Sequence, residues 1–159
     1  ELGVIIGTPA KDVAPEDALD HVWGYTVVND ITARDIQYSE AQWSRCKSFD
    51  GFTPTGPFVV TADEVPDPQS LSLFLDVNGQ RRQTGTTDKM IFGVAHIISY
   101  LSRFMTLLPG DVIVTGTPPG VGSGQKPPVF LKPGDEMHLG IDGLGEQRCK
   151  VVAWEDRPR

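Results

Sequence analysis

The sequence predicts an α+β fold dominated by short β-strands. Glycine and proline are abundant, with 17 and 13 of the 159 residues, and this abundance indicates many turns and therefore many short strands. Several short apolar runs end at such turn formers, whereas only one stretch, residues 94–105, has the apolar spacing of a full helix. The length suits one domain with a proper core, and we expect residues 1–159 to form that single domain.

Two strands and a short helix are predicted before the most polar motif of the chain. Glu1 opens a largely apolar run, residues 1–7, that is typical of a buried strand. Pro15 followed by acidic residues marks the start of a short helix, which should stop near Gly24. A second strand over Tyr25–Val28 then leads directly into the motif Asn29–Asp35.

The middle of the chain predicts a shaped loop and a hairpin. Residues 43–57 contain so many turn-forming residues that we expect an irregular loop of fixed shape, followed by a strand over Phe58–Val60. Asn78-Gly79 separates the partly alternating run Leu71–Val77 from the returning run Gln80–Gln83, and this pattern predicts a β-hairpin.

The last third of the chain predicts the one long helix and three further strands. Apolar residues recur at helical spacing and define one face of the helix at Val94, Ile97, Ile98, Leu101 and Met105. Strands are predicted over Asp111–Thr115, Glu136–Ile141 and Gln147–Ala153, and the turns between them are rich in glycine and proline.

Charge and cysteine usage argue against several classes of partner. The formal net charge is −7, which disfavours a nucleic-acid or anionic-membrane partner. No apolar run approaches the roughly 20 residues of a membrane span. Cys46 and Cys149 make neither a metal-type cluster nor a disulfide framework. Free thiols in a reducing compartment are therefore expected, which favours a cytoplasmic location.

The motif around Asp30 brings three polar side chains within reach of one point. Asp30 lies where the second strand ends, and Arg34 and Gln37 follow four and seven positions later. In a helix these offsets return to the same face. A carboxylate, a guanidinium and an amide aimed at one point suit a hard metal ion and an anionic substrate. The alternative is that Asp30 is a solvated N-cap residue.

Carboxylates at the ends of buried strands are the best candidates for metal ligands. Glu1 and Asp30 occupy such positions, and two or three carboxylates completed by water favour Mg²⁺ or Mn²⁺ over zinc. The histidines lie far apart and in no ligand pattern, so we expect surface or packing roles for His21, His96 and His138.

Lys47 and Thr117 are further candidates. If Lys47 points inward, it could hold a substrate carboxylate or a developing enolate; otherwise it is a solvated lysine. Its neighbour Cys46 has no base near it in sequence, which disfavours a nucleophilic thiol. Gly116–Gly124 lacks the Gly-Lys-Ser/Thr ending of a phosphate loop, so we expect a rigid loop that presents Thr117 to a site. The absence of a Gly-x-Ser-x-Gly elbow disfavours a serine hydrolase.

Several longer motifs occur in a distinctive order along the chain. They are Glu1–Gly7, Gly24–Asp35, Lys47–Asp50, Pro54–Pro57, Asn78-Gly79, Met105–Leu107, Pro109–Asp111 and Thr115–Pro118. Together they resemble the catalytic domain of the fumarylacetoacetate hydrolase superfamily over nearly the whole chain. The resemblance implies a rolled, mixed β-sheet, usually in a homodimer, and a Mg²⁺ or Mn²⁺ ion held by three carboxylates.

The resemblance also implies that part of the site precedes this chain. Two of the family's carboxylates come from a Glu-x-Glu pair on the first strand and the third from the Asp of the Asn-Asp motif. Asp30 matches the third and Glu1 matches the second Glu, so the first Glu would lie two residues before residue 1. The family's general base, commonly a His or a His/Glu pair on an upstream lid, has no match among the histidines here. We therefore expect an upstream N-terminal segment to be missing.

By the same likeness, Arg34, Gln37, Lys47 and Thr117 match positions that grip the carboxylate and oxo group of a small 2-oxo acid, with Lys47 and Arg34 as catalytic residues. The implied reaction is hydrolysis of a C–C bond in a 2,4-dioxo acid, of the acylpyruvate or fumarylpyruvate type, through a metal-stabilised enolate. An oxaloacetate-type decarboxylase or a 2-hydroxyhepta-2,4-diene-1,7-dioate-type isomerase would use the same site. A non-catalytic binding module that keeps the fold is the alternative from another class.

Overall fold

The computed structural model describes residues 1–157, which form two four-stranded β-sheets and three short α-helices. The strands are β1 Leu2–Ile6, β2 Val22–Val27, β3 Val60–Thr61, β4 Ser72–Val77, β5 Gln80–Thr86, β6 Val112–Val114, β7 Glu136–Ile141 and β8 Gly145–Lys150. The helices are α1 Arg34–Ser39, α2 Trp43–Lys47 and α3 Val94–Ser102. The predicted α+β class, with a predominance of β structure, is confirmed. Within residues 1–157, no helix has the length and apolarity needed to cross a membrane.

β1 lies inside the first sheet, whose strand order is β3-β2-β1-β6. It pairs antiparallel with β2 on one side and with β6 on the other, so that Val4 lies between Tyr25 and Ile113. All five residues of β1 are buried. Because both faces of β1 are covered, its residues are continuously apolar rather than alternating with polar ones.

The second sheet has the order β5-β4-β7-β8 and contains the predicted hairpin. Asn78 and Gly79 join β4 to β5 with φ angles of 51° and 73°, the positive values that a two-residue type I′ turn requires. β4 also pairs with β7, which brings Leu75 opposite Leu139. The hairpin signal in the sequence therefore determined both the turn and the start of this sheet.

One hydrophobic core joins the two sheets and is covered by α3. The first sheet contributes Leu2 and Val4, the second contributes Leu139 and Ile141, and α3 contributes Ile98. The apolar face predicted for the long helix is therefore confirmed for Val94, Ile97, Ile98 and Leu101. The helix ends at Ser102, and Met105 beyond it is exposed.

One prediction for the region after the Asp30 motif is wrong, and one boundary before the motif differs from the prediction. The irregular loop expected over residues 43–57 begins with helix α2 instead. Cys46 is fully buried, and its carbonyl accepts a hydrogen bond from the Ala33 N–H at 2.9 Å, so tertiary contacts stabilise a helix that the turn-rich composition does not favour. The helix expected to stop near Gly24 ends at His21, and the strand expected from Tyr25 already begins at Val22. Gly24 therefore lies inside β2, where a Cβ would collide with the Val60 carbonyl oxygen.

Three further differences concern strand direction and element boundaries. The resemblance implied a mixed sheet, whereas every strand pair described within residues 1–157 is antiparallel. The short helix that begins at Pro15 is a 3₁₀ helix. β8 begins at Gly145 rather than Gln147 because its pairing with β7 starts opposite Ile141, immediately after the turn.

Candidate active site

An open cavity of about 920 Å³ lies beyond the end of β2, between helices α1 and α2 and the second sheet. Its lining includes all the site residues predicted from the sequence, namely Glu1, Asp30, Arg34, Gln37, Lys47 and Thr117. Apolar side chains of the second sheet complete part of the wall, among them Leu73, Leu75, Leu139 and Ile141. The fold therefore brings residues from distant parts of the chain to one place.

Asp30 and Lys47 form an ion pair in this cavity. Asp30 lies just beyond β2, and Lys47 is the last residue of α2 rather than part of a loop. The Lys47 Nζ donates to Oδ2 of Asp30 and, at 3.3 Å, to Oγ1 of Thr32. The side chains of Lys47 and Asp30 are 32% and 17% exposed. The pair is thus partly shielded from water, and Lys47 points inward as its functional interpretation requires.

Arg34 and Gln37 lie one turn apart on α1 and are hydrogen-bonded to each other. The Arg34 Nη1 donates to Oε1 of Gln37, which is buried. Because a guanidinium has several N–H donors, Arg34 retains donors for an anionic ligand after this bond. The N-cap of α1 is Ala33, without a side-chain capping bond, so Asp30 is not the helix cap of the alternative interpretation.

Glu1 contributes the carboxylate on the side of the first sheet. Its Oε2 accepts a hydrogen bond from the backbone N–H of Gly116 at 2.7 Å. Burial raises the pKa of the Glu1 carboxyl above its usual range, and the negative charge of Asp30 acts in the same direction. The two carboxylates therefore share one partly dehydrated region of the cavity.

The carboxylates of Glu1 and Asp30 fit a hard divalent cation. Burial and the charge of Asp30 both disfavour the ionised form of Glu1, and a bound cation would offset both effects. Oxygen donors of this kind suit Mg²⁺ or Mn²⁺ better than zinc. Among residues 1–157, no group of three His, Cys, Asp or Glu side chains is arranged to hold a metal. The two carboxylates that this part of the chain brings to the cavity are those of Glu1 and Asp30.

The three histidines make surface or packing contacts, and the Cys46 thiol is buried. His21 is hydrogen-bonded to Thr8, His138 to Glu146, and His96 stacks on Phe92. Cys46 is fully buried, and its thiol donates to the Trp43 carbonyl at 2.9 Å. A buried thiol engaged in this way is not available as a nucleophile.

Gln83 is a residue of the cavity wall that the sequence did not reveal. It lies on β5 opposite Leu75 and is 9% exposed. Its Nε2 donates to Oγ1 of Thr117 and to the carbonyl of Pro118, each at 2.7 Å. In the sequence, a glutamine in a returning strand looks like any polar surface residue. The hairpin register could have indicated its burial, because it pairs Gln83 with the apolar Leu75.

Comparison with known proteins finds one family for most of the chain. A family model described as "Fumarylacetoacetate (FAA) hydrolase C-terminal" matches residues 1–152. A relative from Burkholderia multivorans is 60% identical over 149 residues, which cover 92% of this chain and 53% of that protein. The chain thus spans about half the length of the curated relatives that it matches.

Solved structures of similar proteins superpose over 96% of the chain. The fumarylacetoacetate hydrolase from Exiguobacterium antarcticum is 50% identical, with a TM-score of 0.93 and 55% of its own length covered. The 2-hydroxyhepta-2,4-diene-1,7-dioate isomerase from Mycobacterium marinum is 45% identical, with a TM-score of 0.85 and 56% covered. The fumarylpyruvate hydrolase from Pseudomonas aeruginosa, solved in complex with Mn²⁺ and pyruvate, is 40% identical, with a TM-score of 0.85 and 64% covered.

Proposed function

Because the chain belongs to the fumarylacetoacetate hydrolase family, we propose that it hydrolyses a C–C bond in 2,4-dioxo acids of the acylpyruvate or fumarylpyruvate type, with Mg²⁺ or Mn²⁺. The observation that carries this proposal is the ion pair of Lys47 with Asp30, in a cavity also lined by Glu1, Arg34 and Thr117. Charges of both signs around one cavity suit a substrate that is held by its carboxylate while negative charge develops beside it.

Glu1 and Asp30 are the residues of this chain that would hold the cation. Both are oxygen donors on the cavity wall. When bound, the cation supplies Lewis-acid polarisation of the 2-oxo group. Lys47 contacts the same Asp30 carboxylate, and its ammonium therefore orients that ligand as well as facing the cavity.

Arg34 and Thr117 would bind the substrate carboxylate, and Gln37 would bind the oxo edge. The planar guanidinium of Arg34 suits a carboxylate, and Thr117 lines the same cavity. The Oε1 of Gln37 already accepts from Arg34, so the amide nitrogen is the end of Gln37 that can donate to an oxo oxygen. Substrate held in this way is oriented for the bond that breaks.

Lys47 would stabilise the charge that develops during cleavage. When water adds to the C4 carbonyl, the C3–C4 bond breaks and its electron pair moves through C2 to the 2-oxo oxygen. An ammonium directed at that oxygen stabilises the resulting enolate. Protonation at C3 then releases a 2-oxo acid such as pyruvate, and C4 leaves as a carboxylic acid, so that one water is consumed.

An isomerase is the second candidate, favoured by the likeness to the Mycobacterium marinum isomerase. The same residues would stabilise the same enolate, and the proton would return at another carbon without addition of water. The two reactions differ in their products, since hydrolysis gives two acids whereas isomerisation gives one product of unchanged mass.

Calorimetric titration of the intact natural protein with Mn²⁺, and then with oxalate as an enolate mimic, tests the proposed site. We expect oxalate to bind only when Mn²⁺ is present. Asp30→Asn should weaken Mn²⁺ binding, because it removes an anionic ligand. Asp76 is the matched control, since it is also ion-paired and its side chain is 18% exposed, against 17% for Asp30. Asp76→Asn should leave Mn²⁺ affinity unchanged.

Turnover distinguishes the candidate functions. Acetylpyruvate, fumarylpyruvate and an unsaturated hydroxy dioate are supplied in turn, and the products are identified by mass spectrometry. Two acids from a 2,4-dioxo acid would support the hydrolase, and an isobaric product would support the isomerase. If the intact natural protein binds neither Mn²⁺ nor oxalate, both candidate functions are contradicted, and a binding module that keeps the fold is favoured.

We also propose the homodimer that the family resemblance implies. Sedimentation equilibrium of the full chain tests this assembly, and a monomeric mass at working concentrations would contradict it.

A further inference from the structure

We propose that Gln83 is a positioning residue, which sets the direction of the Thr117 hydroxyl so that Thr117 donates its hydrogen to a bound carboxylate. The carboxylate as ligand rests on the proposed function. The geometry that supports the inference is independent of it, because it consists of contacts between β5 and the loop Gly116–Gly120.

The neighbours of Gln83 determine which end of its amide faces Thr117. The carbonyl of Pro118 can only accept a hydrogen bond, and it lies 2.7 Å from Nε2. If the amide were reversed, two acceptor oxygens would face each other there. The nitrogen therefore faces Pro118, and its second hydrogen is donated to Oγ1 of Thr117 at 2.7 Å.

Because Gln83 donates to Oγ1 of Thr117, the hydroxyl hydrogen of Thr117 remains available for another acceptor. A threonine hydroxyl has a single hydrogen and two lone pairs, and Gln83 occupies one of the lone pairs. Thr117 is exposed on the cavity wall, so the hydrogen can meet a ligand. A carboxylate accepts such a hydrogen in a charge-assisted bond, and Gln83 thereby favours an anionic group at this point of the cavity.

The loop that carries Thr117 is anchored on both sheets. On the side of the first sheet, the N–H of Gly116 donates to the Glu1 carboxylate at 2.7 Å. On the side of the second sheet, Pro118 packs on Gly85, where a Cβ would lie 2.7 Å from the Pro118 Cβ. Gln83 is 9% exposed, so its amide depends on protein partners rather than on water. The hydroxyl is thus held by a preformed framework.

Oxalate binding in a double-mutant cycle tests the inference in the full chain with Mn²⁺ present. Gln83→Leu and Thr117→Val should each weaken oxalate binding by roughly 10-fold or more, the effect expected for a hydrogen bond to a charged group. Because Gln83 acts through Thr117, the double variant should bind oxalate no more weakly than Thr117→Val alone. Additive losses, or unchanged affinity in Gln83→Leu, would overturn the inference.

The variant Gln83→Glu separates hydrogen-bond direction from simple filling of space. Glutamate keeps the shape of the side chain, but its carboxylate oxygens would accept the hydrogen of Thr117 and face the carbonyl of Pro118. We expect Gln83→Glu to weaken oxalate binding at least as much as Gln83→Leu. Near-normal binding by Gln83→Glu would mean that only the volume of Gln83 matters, and it would overturn the assigned direction.

Gln69 provides the matched control. Its amide also links separate backbone segments, since it donates to the Thr87 carbonyl at 2.8 Å and accepts from the Val94 N–H at 2.6 Å. It is not among the described residues that line the cavity. Gln69→Leu should therefore leave oxalate affinity unchanged. A loss equal to that of Gln83→Leu would indicate general destabilisation and would overturn the specific role of Gln83.

Amide hydrogen exchange gives a readout that needs neither metal nor ligand. Gln83→Leu should speed exchange at the amide of Gly116, whose N–H donates to Glu1 beside Thr117, and leave the hairpin turn Asn78-Gly79 unchanged. Unchanged exchange in the loop would overturn the anchoring role. Failure of the proposed function would look different. Gln83→Leu would still weaken oxalate binding and speed exchange in the loop, but the protein would turn over no 2,4-dioxo acid.

Discussion

Lys47 illustrates, at the scale of single residues, how a charged side chain becomes part of a site. A solitary lysine in a turn-rich stretch is most often solvated. Here the end of α2 directs Lys47 toward Asp30 and Thr32, and its side chain is 32% exposed. The ammonium thus has fixed partners on one side and the cavity on the other.

Replacement of Lys47 should affect the chemical step more than substrate binding. We expect Lys47→Met to lower kcat for acetylpyruvate roughly 100-fold with a small change in KM, because the interaction strengthens only as negative charge develops. Release of pyruvate measured in steady-state assays gives both constants.

Lys89 is the control for Lys47, since it is also paired with an aspartate but its side chain is 81% exposed. Lys89→Met should retain wild-type kinetics. If Lys47→Met also did so, the lysine would be a structural partner of Asp30 and not part of the reaction.

At the scale of an element, burial within strand β2 changes the acidity of Tyr25. It lies in β2, is 2% exposed, and packs within the core between the sheets. Burial, with a smaller effect from the charge of Asp67, raises the pKa of Tyr25 from 10.0 to about 12. The strand therefore holds a phenol that ionises more readily in the unfolded chain than in the folded one.

This pKa difference predicts that the folded protein loses stability at alkaline pH. Between pH 10 and about 12 the folded protein retains a proton that the unfolded chain has released, so the free energy of unfolding falls as the pH rises. Relative to Tyr25→Phe, which cannot ionise, the wild type should lose about 2–3 kcal/mol across this window. Urea unfolding at pH 9 and near pH 12 measures the difference.

Tyr38 serves as the control for this effect, since it is 69% exposed on α1. Tyr38→Phe should change the alkaline dependence little. An identical pH dependence for the wild type and Tyr25→Phe would show that the phenol of Tyr25 ionises equally well in both states.

At the scale of the whole molecule, the cavity depends on the pairing of β1 with β2. Leu2 lies opposite Val27 in this pair, which brings Glu1, just before β1, to the same end of the sheet as Asp30, just after β2. A cation bound by both carboxylates would therefore connect two adjacent strands of the folded state.

Mn²⁺ should consequently stabilise the whole fold. A ligand that binds only the folded state at about 100 times its Kd adds about 2.7 kcal/mol to the free energy of unfolding. We expect a higher Tm with Mn²⁺, reversal by a chelator, and a smaller shift in Asp30→Asn. Thermal unfolding followed by circular dichroism tests this, and an equal shift in Asp30→Asn would place the stabilising ion elsewhere.

Much of the fold was predictable because its signals are local. The Asn78-Gly79 turn, the apolar run of β1 and the amphipathic face of α3 depend on residues close together in sequence. Helix α2 was not predictable in this way, since it is stabilised by burial of Cys46 and by a bond from Ala33. Tertiary contacts there outweigh the turn-forming composition.

The candidate site likewise contains features that are local in sequence and features that depend on tertiary contacts. The spacing of the sequence predicted that Asp30, Arg34 and Gln37 can face one point, whereas the β1–β2 register of the folded chain brings Glu1 to the same cavity. Only the tertiary structure decided that Asp30 pairs with Lys47 and that Gln83 directs Thr117. Hydrogen bonds between separate sheets and helices depend on strand register and packing, which periodicity and spacing within one segment do not determine.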